Sequence, residues 1–129
     1  MRVRVRVEAE VYPTESAEKV MEAVRKLFPK LHVEVKWMNG SAVVEGEGEG
    51  LEVLENLKSL IRARRIRAAA RAILRASLEG DKLLFYMNKQ AAYVGKASFT
   101  EPYGESPLPP IKVLVETDNP EELIAWMTE

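Results

Sequence analysis

Hydrophobic and polar residues alternate one for one from position 2 to position 11, with Arg2, Arg4, Arg6, Glu8 and Glu10 on one phase and Val3, Val5, Val7, Ala9 and Val11 on the other. A period of two predicts a strand with one buried and one solvent face. Pro13 ends it, and Thr14 is the expected cap of a following helix. Ala17, Val20, Met21, Val24, Leu27 and Phe28 then recur at helical spacing until Pro29 stops them. Leu31, Val33, Val35 and Trp37 restore the period of two against His32, Glu34 and Lys36. Asn39-Gly40 follows, the strongest short hairpin signal, because both residues tolerate positive φ. The return strand is expected from about Ser41 to Glu47. It should dissolve as a mobile end where Gly46, Gly48 and Gly50 alternate with Glu45, Glu47 and Glu49.

Residues 51–78 contain neither glycine nor proline and carry two apolar stripes. Leu51, Leu54, Leu57, Leu60 and Ile61 form one, and Ile66, Ala69, Ala70, Ile73 and Ser77 the other. The second is rotated by roughly 140° from the first at about 100° per residue. One straight helix cannot bury both on the same side. The pattern therefore predicts two helices, Leu51–Ile61 and Ala63–Leu78, meeting near Arg62–Arg65 and closed by Gly80. Arg64, Arg67, Arg71 and Arg75 fall within about 80° of one another on the second helix, beside its apolar face.

Lys82–Met87 reads as a strand, Asn88–Ala92 as a helical turn or loop, and Val94–Thr100 as a further strand. Residues 101–110 hold four prolines and a glycine and read as a surface loop. Ile111, Val113 and Val115 mark a last strand. Asn119-Pro120-Glu121-Glu122 combines an N-cap, proline at N1 and glutamate at N3, and so starts a final helix. The expected fold is α+β: a five-stranded, mostly antiparallel sheet with about five helices packed on one face, in a single domain spanning 1–129.

Composition narrows the chemistry. The absence of cysteine excludes disulfides, thiolate metal sites and thiol catalysis, and the lone His32 excludes multi-histidine centres. The N-terminus alternates and so does not read as a signal peptide. No run approaches the length of a membrane span. A cytoplasmic location, no membrane association and no cofactor are the expectations. The net charge of −1 conceals an asymmetry. Residues 56–76 hold seven positive and no negative side chains, whereas residues 97–129 hold one positive and seven negative. The Val-, Glu- and Arg-rich usage is common in thermophile proteins.

Four segments in order carry a resemblance: EAEVYPTESAEKVMEAVRKLFP, GLEVLENLKSLIRARRIRAAAR, NKQAAYVGKASF and NPEELIAWM. The most specific residues are Lys89-Gln90-Ala91-Ala92 with Gly95, and Pro120-Glu121-Glu122-Leu123 with Trp126. The chain resembles an archaea-specific family of uncharacterised proteins, catalogued as RNA-binding or exosome-subunit-like. The resemblance implies a fold similar to the ribosomal protein domain that grips 5S rRNA, and hence an RNA-recognition-motif-like architecture. It implies no established activity, since fold alone does not transfer function.

The arginine stripe is the leading candidate site. Guanidinium groups offer fixed, bidentate donors to phosphate, so Arg64, Arg67, Arg71 and Arg75, joined by Lys89 and Lys96, are the candidate contacts to an RNA backbone. The plain alternative is a solvated helix face whose arginine heads pair with glutamates. The basic-Gly-aromatic octapeptide of RNA-recognition motifs is absent, and Tyr86 and Phe99 are expected in the core. Lys89-Gln90-Ala91-Ala92 suits either an anion or a capped turn. The Gly46–Gly50 run lacks the Lys-Ser/Thr of a phosphate loop. Its carboxylates read as solvent-facing rather than as a cation site. His32 reads as a surface residue. Ser41, Ser59, Ser77, Ser98 and Ser106 lack the context of a nucleophile. No metal ligands, catalytic residues or small-molecule ligand are assigned, and an enzyme is not expected. The competing function is a protein-interaction or homodimeric module that has lost RNA binding. In it the basic helix meets the acidic C-terminal third, or an edge strand pairs with a neighbour.

Overall fold

The computed structural model describes residues 1–102 and 108–129. Its elements run β1 (Val3–Val11), α1 (Ala17–Leu27), β2 (His32–Met38), β3 (Ser41–Glu49), a 3-10 turn (Leu51–Val53), α2 (Glu55–Ala63), α3 (Arg67–Ala76), β4 (Leu78–Glu79), β5 (Lys82–Met87), α4 (Lys89–Tyr93), β6 (Phe99–Thr100), β7 (Ile111–Thr117) and α5 (Pro120–Met127). Every strand pairing among the described residues is antiparallel, in the order β2-β3-β1-β7-β5-β4, with β6 also on β5. The sheet thus has seven strands where five were expected. Five are long. The other two are two-residue pairings at opposite ends of β5, too short to leave a periodicity.

The alternation in β1 becomes strict burial: Val3, Val5, Val7, Ala9 and Val11 are buried, and the charged residues between them are exposed. The helices contribute Val20, Val24, Leu27, Leu57, Ile61, Leu74, Leu123 and Ile124 to the same apolar cluster. One face of the sheet is therefore dry and the other open.

Several local expectations hold. The Asn39-Gly40 turn has φ of 42° and 84°. Asn119 caps α5, accepting from the Glu122 N–H at 3.2 Å and donating to its carboxylate at 2.8 Å. Others are corrected. Ser16, not Thr14, caps α1 by accepting from the Lys19 N–H. The first stripe of residues 51–61 opens as a 3-10 turn before α2. Gly80 does not stop a helix: with φ of 64° it turns the short β4–β5 hairpin. The strand expected over Val94–Thr100 shrinks to β6. In the proline-rich segment 101–110, residues 103–107, Ser106 included, lie outside the described residues.

The glycine–glutamate run is likewise no fraying end, because β3 stays paired with β1 through Glu49. Gly46 and Gly48 face the core, where Leu31 and Val53 occupy the space of their missing side chains. A Cβ on Gly48 would lie 2.9 Å from both Leu31 Cδ2 and Val53 Cγ2. Gly48→Ala is expected to destabilise by about 1–2 kcal/mol. Overpacking costs about 1–3 kcal/mol, less about 0.4–1 for the stiffer unfolded chain. Gly46→Ala, with its nearest contact at 3.2 Å, should cost less. Urea midpoints of the two variants check the ranking.

Candidate nucleic-acid interface

The open face of the sheet is the surface an RNA-recognition fold would use, and here its charges are largely matched. Arg4 meets Glu49 at 3.7 Å and Arg6 meets Glu47 at 3.3 Å, while Lys36 meets Glu45 at 2.9 Å. The three carboxylates of the glycine–glutamate run are thereby each beside a cation. Lys112 stands in register between Glu8 and Tyr86. His32 is exposed, as expected, and contacts Glu34 at 2.9 Å. Phe99 packs on Phe85, with ring centroids 5.6 Å apart, and Tyr86 is half-buried. A face with matched charges and one half-buried tyrosine is a poor platform for unstacked bases.

The basic segment behaves differently. Its two stripes are separated where α2 ends in a Schellman motif. The Ile66 N–H bonds the Ile61 carbonyl at 3.3 Å and the Arg65 N–H bonds the Arg62 carbonyl at 3.1 Å. This arrangement places Arg65 in the left-handed region with φ of 57°, a position usually taken by glycine. The chain then turns through Ile66 into α3. The corner Arg62–Arg67 exposes Arg62, Arg64, Arg65 and Arg67. Among the described residues none of the four has a side-chain hydrogen bond or ion pair. The first turn of α3 carries no acidic residue and no side-chain cap, so its dipole adds to the positive potential there.

The four arginines of the expected stripe are thus not one surface. Arg64 caps α2 and is not on α3 at all, because the second helix begins at Arg67 rather than Ala63. Arg71 is half-buried. Its Nε donates to Thr128 Oγ1 at 3.1 Å and its Nη2 to the Thr128 carbonyl at 2.9 Å. It thereby satisfies a C-terminal carbonyl of α5 and places a cation at the negative end of that helix. Arg75 is exposed, 3.9 Å from Glu121. The buried residues of α3 are Ala70 and Leu74, with Ala69 and Ile73 exposed, so its inner face is offset from the predicted stripe and takes in Arg71. Arg62 and Arg65 escaped the sequence reading. The phase break between the stripes was the signal for them, since a break between helices turns its own residues outward.

The two lysines also separate. Lys96 is exposed. Lys89 is buried, and its Nζ donates to the Glu10 carbonyl at 2.7 Å and to both Glu15 carboxylate oxygens at 3.1 Å. Burial lowers its pKa against the opposing pull of Glu15. Lys89 is a tie between α4 and the β1–α1 connection, unavailable to a ligand. Asn88 caps α4 by accepting from the Ala91 N–H at 2.8 Å, and Ala92 is buried, so packing accounts for Lys89 and Ala92, while Gln90 is exposed.

Lys58, also in the basic segment, is engaged. It bonds Glu129 at 3.0 Å and lies 4.5 Å over the Trp126 ring. That hydrogen bond, followed by the lysine charge, lowers the Glu129 pKa below its ordinary 4.5. A depressed carboxylate stabilises the fold above its unfolded pKa and loses that contribution as pH falls through the folded value. Lys58→Met should therefore raise the Glu129 titration, followed by NMR, toward its ordinary value, with the Arg62 charge still holding it down.

A family model described as RNA binding matches residues 4–117, a span that includes the arginine corner. A UPF0201 protein of Aeropyrum pernix is 39% identical over 127 residues, covering 98% of this chain and 85% of that relative. The chain belongs to the UPF0201 family. A UPF0201 protein of Sulfurisphaera tokodaii is 38% identical over 125 residues, covering 97% of this chain and 86% of the relative. The crystal structure of the UPF0201 protein from Methanococcus jannaschii matches with a TM-score of 0.87 at 31% identity, covering 98% and 99% of the two chains. The UPF0201 architecture is thus shared over nearly the whole length. No described helix is long and apolar enough to cross a membrane.

Proposed function

We propose that this UPF0201 chain is a binding protein, not a catalyst, that grips the phosphate backbone of structured RNA with its arginine corner. Four exposed arginines within six residues, none with a side-chain hydrogen bond or ion pair among the described residues, carry the reading, although the charge of Arg62 also acts on Glu129. The family model's description is in keeping with it. So is the conformation of Arg65: a left-handed arginine costs about 1–2 kcal/mol that glycine would not, and the corner keeps a cation there. The contact lies on a helix corner, away from the sheet face where RNA-recognition modules stack bases. Phosphate contacts position without reading sequence, so the binding is indifferent to sequence and responsive to salt. Exposed Lys96 adds an outlying phosphate contact in this reading, and the likeness to the 5S rRNA-binding domain extends to architecture alone.

The test is a titration of a folded RNA hairpin with the full chain and with Arg64→Glu/Arg67→Glu. Both substituted residues are exposed, so folding is preserved. Loss of affinity in the variant supports the reading; equal affinity, or none in the parent, removes it.

A further inference from the structure

Among the described residues the sheet has one long strand with an uncovered edge. On the far side, β5 carries β4 at one end and β6 at the other. At the near side, β2 pairs only with β3 among the described residues, in unbroken register from His32 to Met38, with no bulge or proline. Unprotected edges of this kind recruit another strand unless charge guards them. Here the charges have a second property. Glu34 and Lys36 are spaced symmetrically about Val35.

We propose that the chain forms a two-fold dimer by antiparallel pairing of β2 with β2 of a second copy, centred on Val35. The register follows from three observations. First, a two-residue hairpin closes on a hydrogen-bonded pair, here Met38 and Ser41, and such pairs alternate along the ladder. His32, Glu34, Lys36 and Met38 therefore direct their backbone groups to β3, and Val33, Val35 and Trp37 direct theirs outward. Centring on Val35 sets Val35 opposite Val35 and Val33 opposite Trp37, which uses all the outward groups of both strands. Second, that register sets Glu34 opposite Lys36 twice. Centring on Glu34 or Lys36 instead would oppose like charges directly, which is destabilising. Within one chain Glu34 stands in register with Glu45, another carboxylate, and touches His32 at 2.9 Å, while Lys36 is 2.9 Å from Glu45; in the dimer register Lys36 of each copy lies between Glu45 of its own chain and Glu34 of the other. Third, Trp37 and Met38 are 71% and 61% exposed, and Val33 and Val35 half-buried. In this register each Trp37 covers Val33 of the other copy. The contact is isologous and closes on itself, so it ends at two copies. The arginine corner is remote from it, because α3 lies against β5, at the other side of the sheet. The dimer stands or falls separately from the RNA reading.

Light scattering and sedimentation of the full chain across concentration test the proposal, with two charge variants. Glu34→Lys should weaken the dimer by about tenfold or more, since lysine then faces lysine twice. It should leave the monomer folded, because a lysine opposite Glu45 is favourable there. Glu34→Lys/Lys36→Glu restores opposite charges across the axis and should return dimerisation to within about threefold of the parent. A parent that is monomeric at every concentration, or a dimer indifferent to both variants, overturns the proposal. The chain has no cysteine, so Val35→Cys supplies a single thiol. Paired Cα atoms at a hydrogen-bonded antiparallel site are about 5.5 Å apart, within disulfide reach. Mild oxidation should yield a covalent dimer of Val35→Cys and not of Lys19→Cys, and equal yields from the two would also overturn it.

Discussion

Lys89→Met should lower the free energy of unfolding by about 3–5 kcal/mol, the cost of removing one partner from a buried ion pair. Lys89 and Glu15 have only 6% and 8% of their side-chain surface exposed, so water cannot replace what the substitution removes. The Glu15 carboxylate would keep one bond, from the Tyr12 N–H at 3.0 Å, and lose two. The Glu10 carbonyl would lose its 2.7 Å donor as well. Methionine matches the aliphatic stem of lysine, which separates lost polarity from lost volume. Adding Glu15→Leu should recover more than half of the loss, because replacing both members of a buried pair by apolar groups is often close to neutral. Chemical denaturation measures all three chains. A Lys89→Met protein within about 1 kcal/mol of the parent would mean that the pair is solvated.

Neutralising the arginine corner should reduce affinity for structured RNA far more than neutralising the rest of the basic segment. If Arg62, Arg64, Arg65 and Arg67 each meet a phosphate, parent affinity should fall about 100-fold between 50 and 200 mM salt, from a slope of about −0.9 per contact on a duplex. Replacing all four by glutamine should abolish most of that dependence. Arg71→Met should act on stability, because it frees the Thr128 carbonyl and unties α3 from α5, and should leave the affinity of the folded protein nearly unchanged. Arg65→Gly is the most informative single change. Glycine relieves the left-handed backbone, so stability should rise by about 1 kcal/mol while affinity falls. A gain in one property with a loss in the other is hard to obtain from general damage.

Where local chemistry decides the structure, the sequence was legible. The β1 alternation, the Asn39-Gly40 turn, the Asn119 start of α5 and the break between two helical stripes all follow from rules that span a few residues. Where a distant partner decides, it was not. Gly46 and Gly48 look like strand breakers until Leu31 and Val53 are seen filling the space. Lys89 looks like a ligand residue until Glu15, 74 positions away in sequence, is found beside it. Arg71 looks like its exposed neighbours until the end of α5 is docked against it. The candidate site shifted for a related reason. A helical wheel assigns phase only within one helix, and Arg64 was placed on the wheel of a helix that starts three residues after it. The strand count missed β4 and β6 because a two-residue pairing is specified by its partner.

The salt dependence of RNA binding, measured for the parent chain and for the variant with Arg62, Arg64, Arg65 and Arg67 all replaced by glutamine, tests the central claim most directly. The account predicts a log–log slope of about −3 to −4 for the parent and a slope close to zero for the variant. A flat parent slope, or the same slope in both proteins, would contradict it.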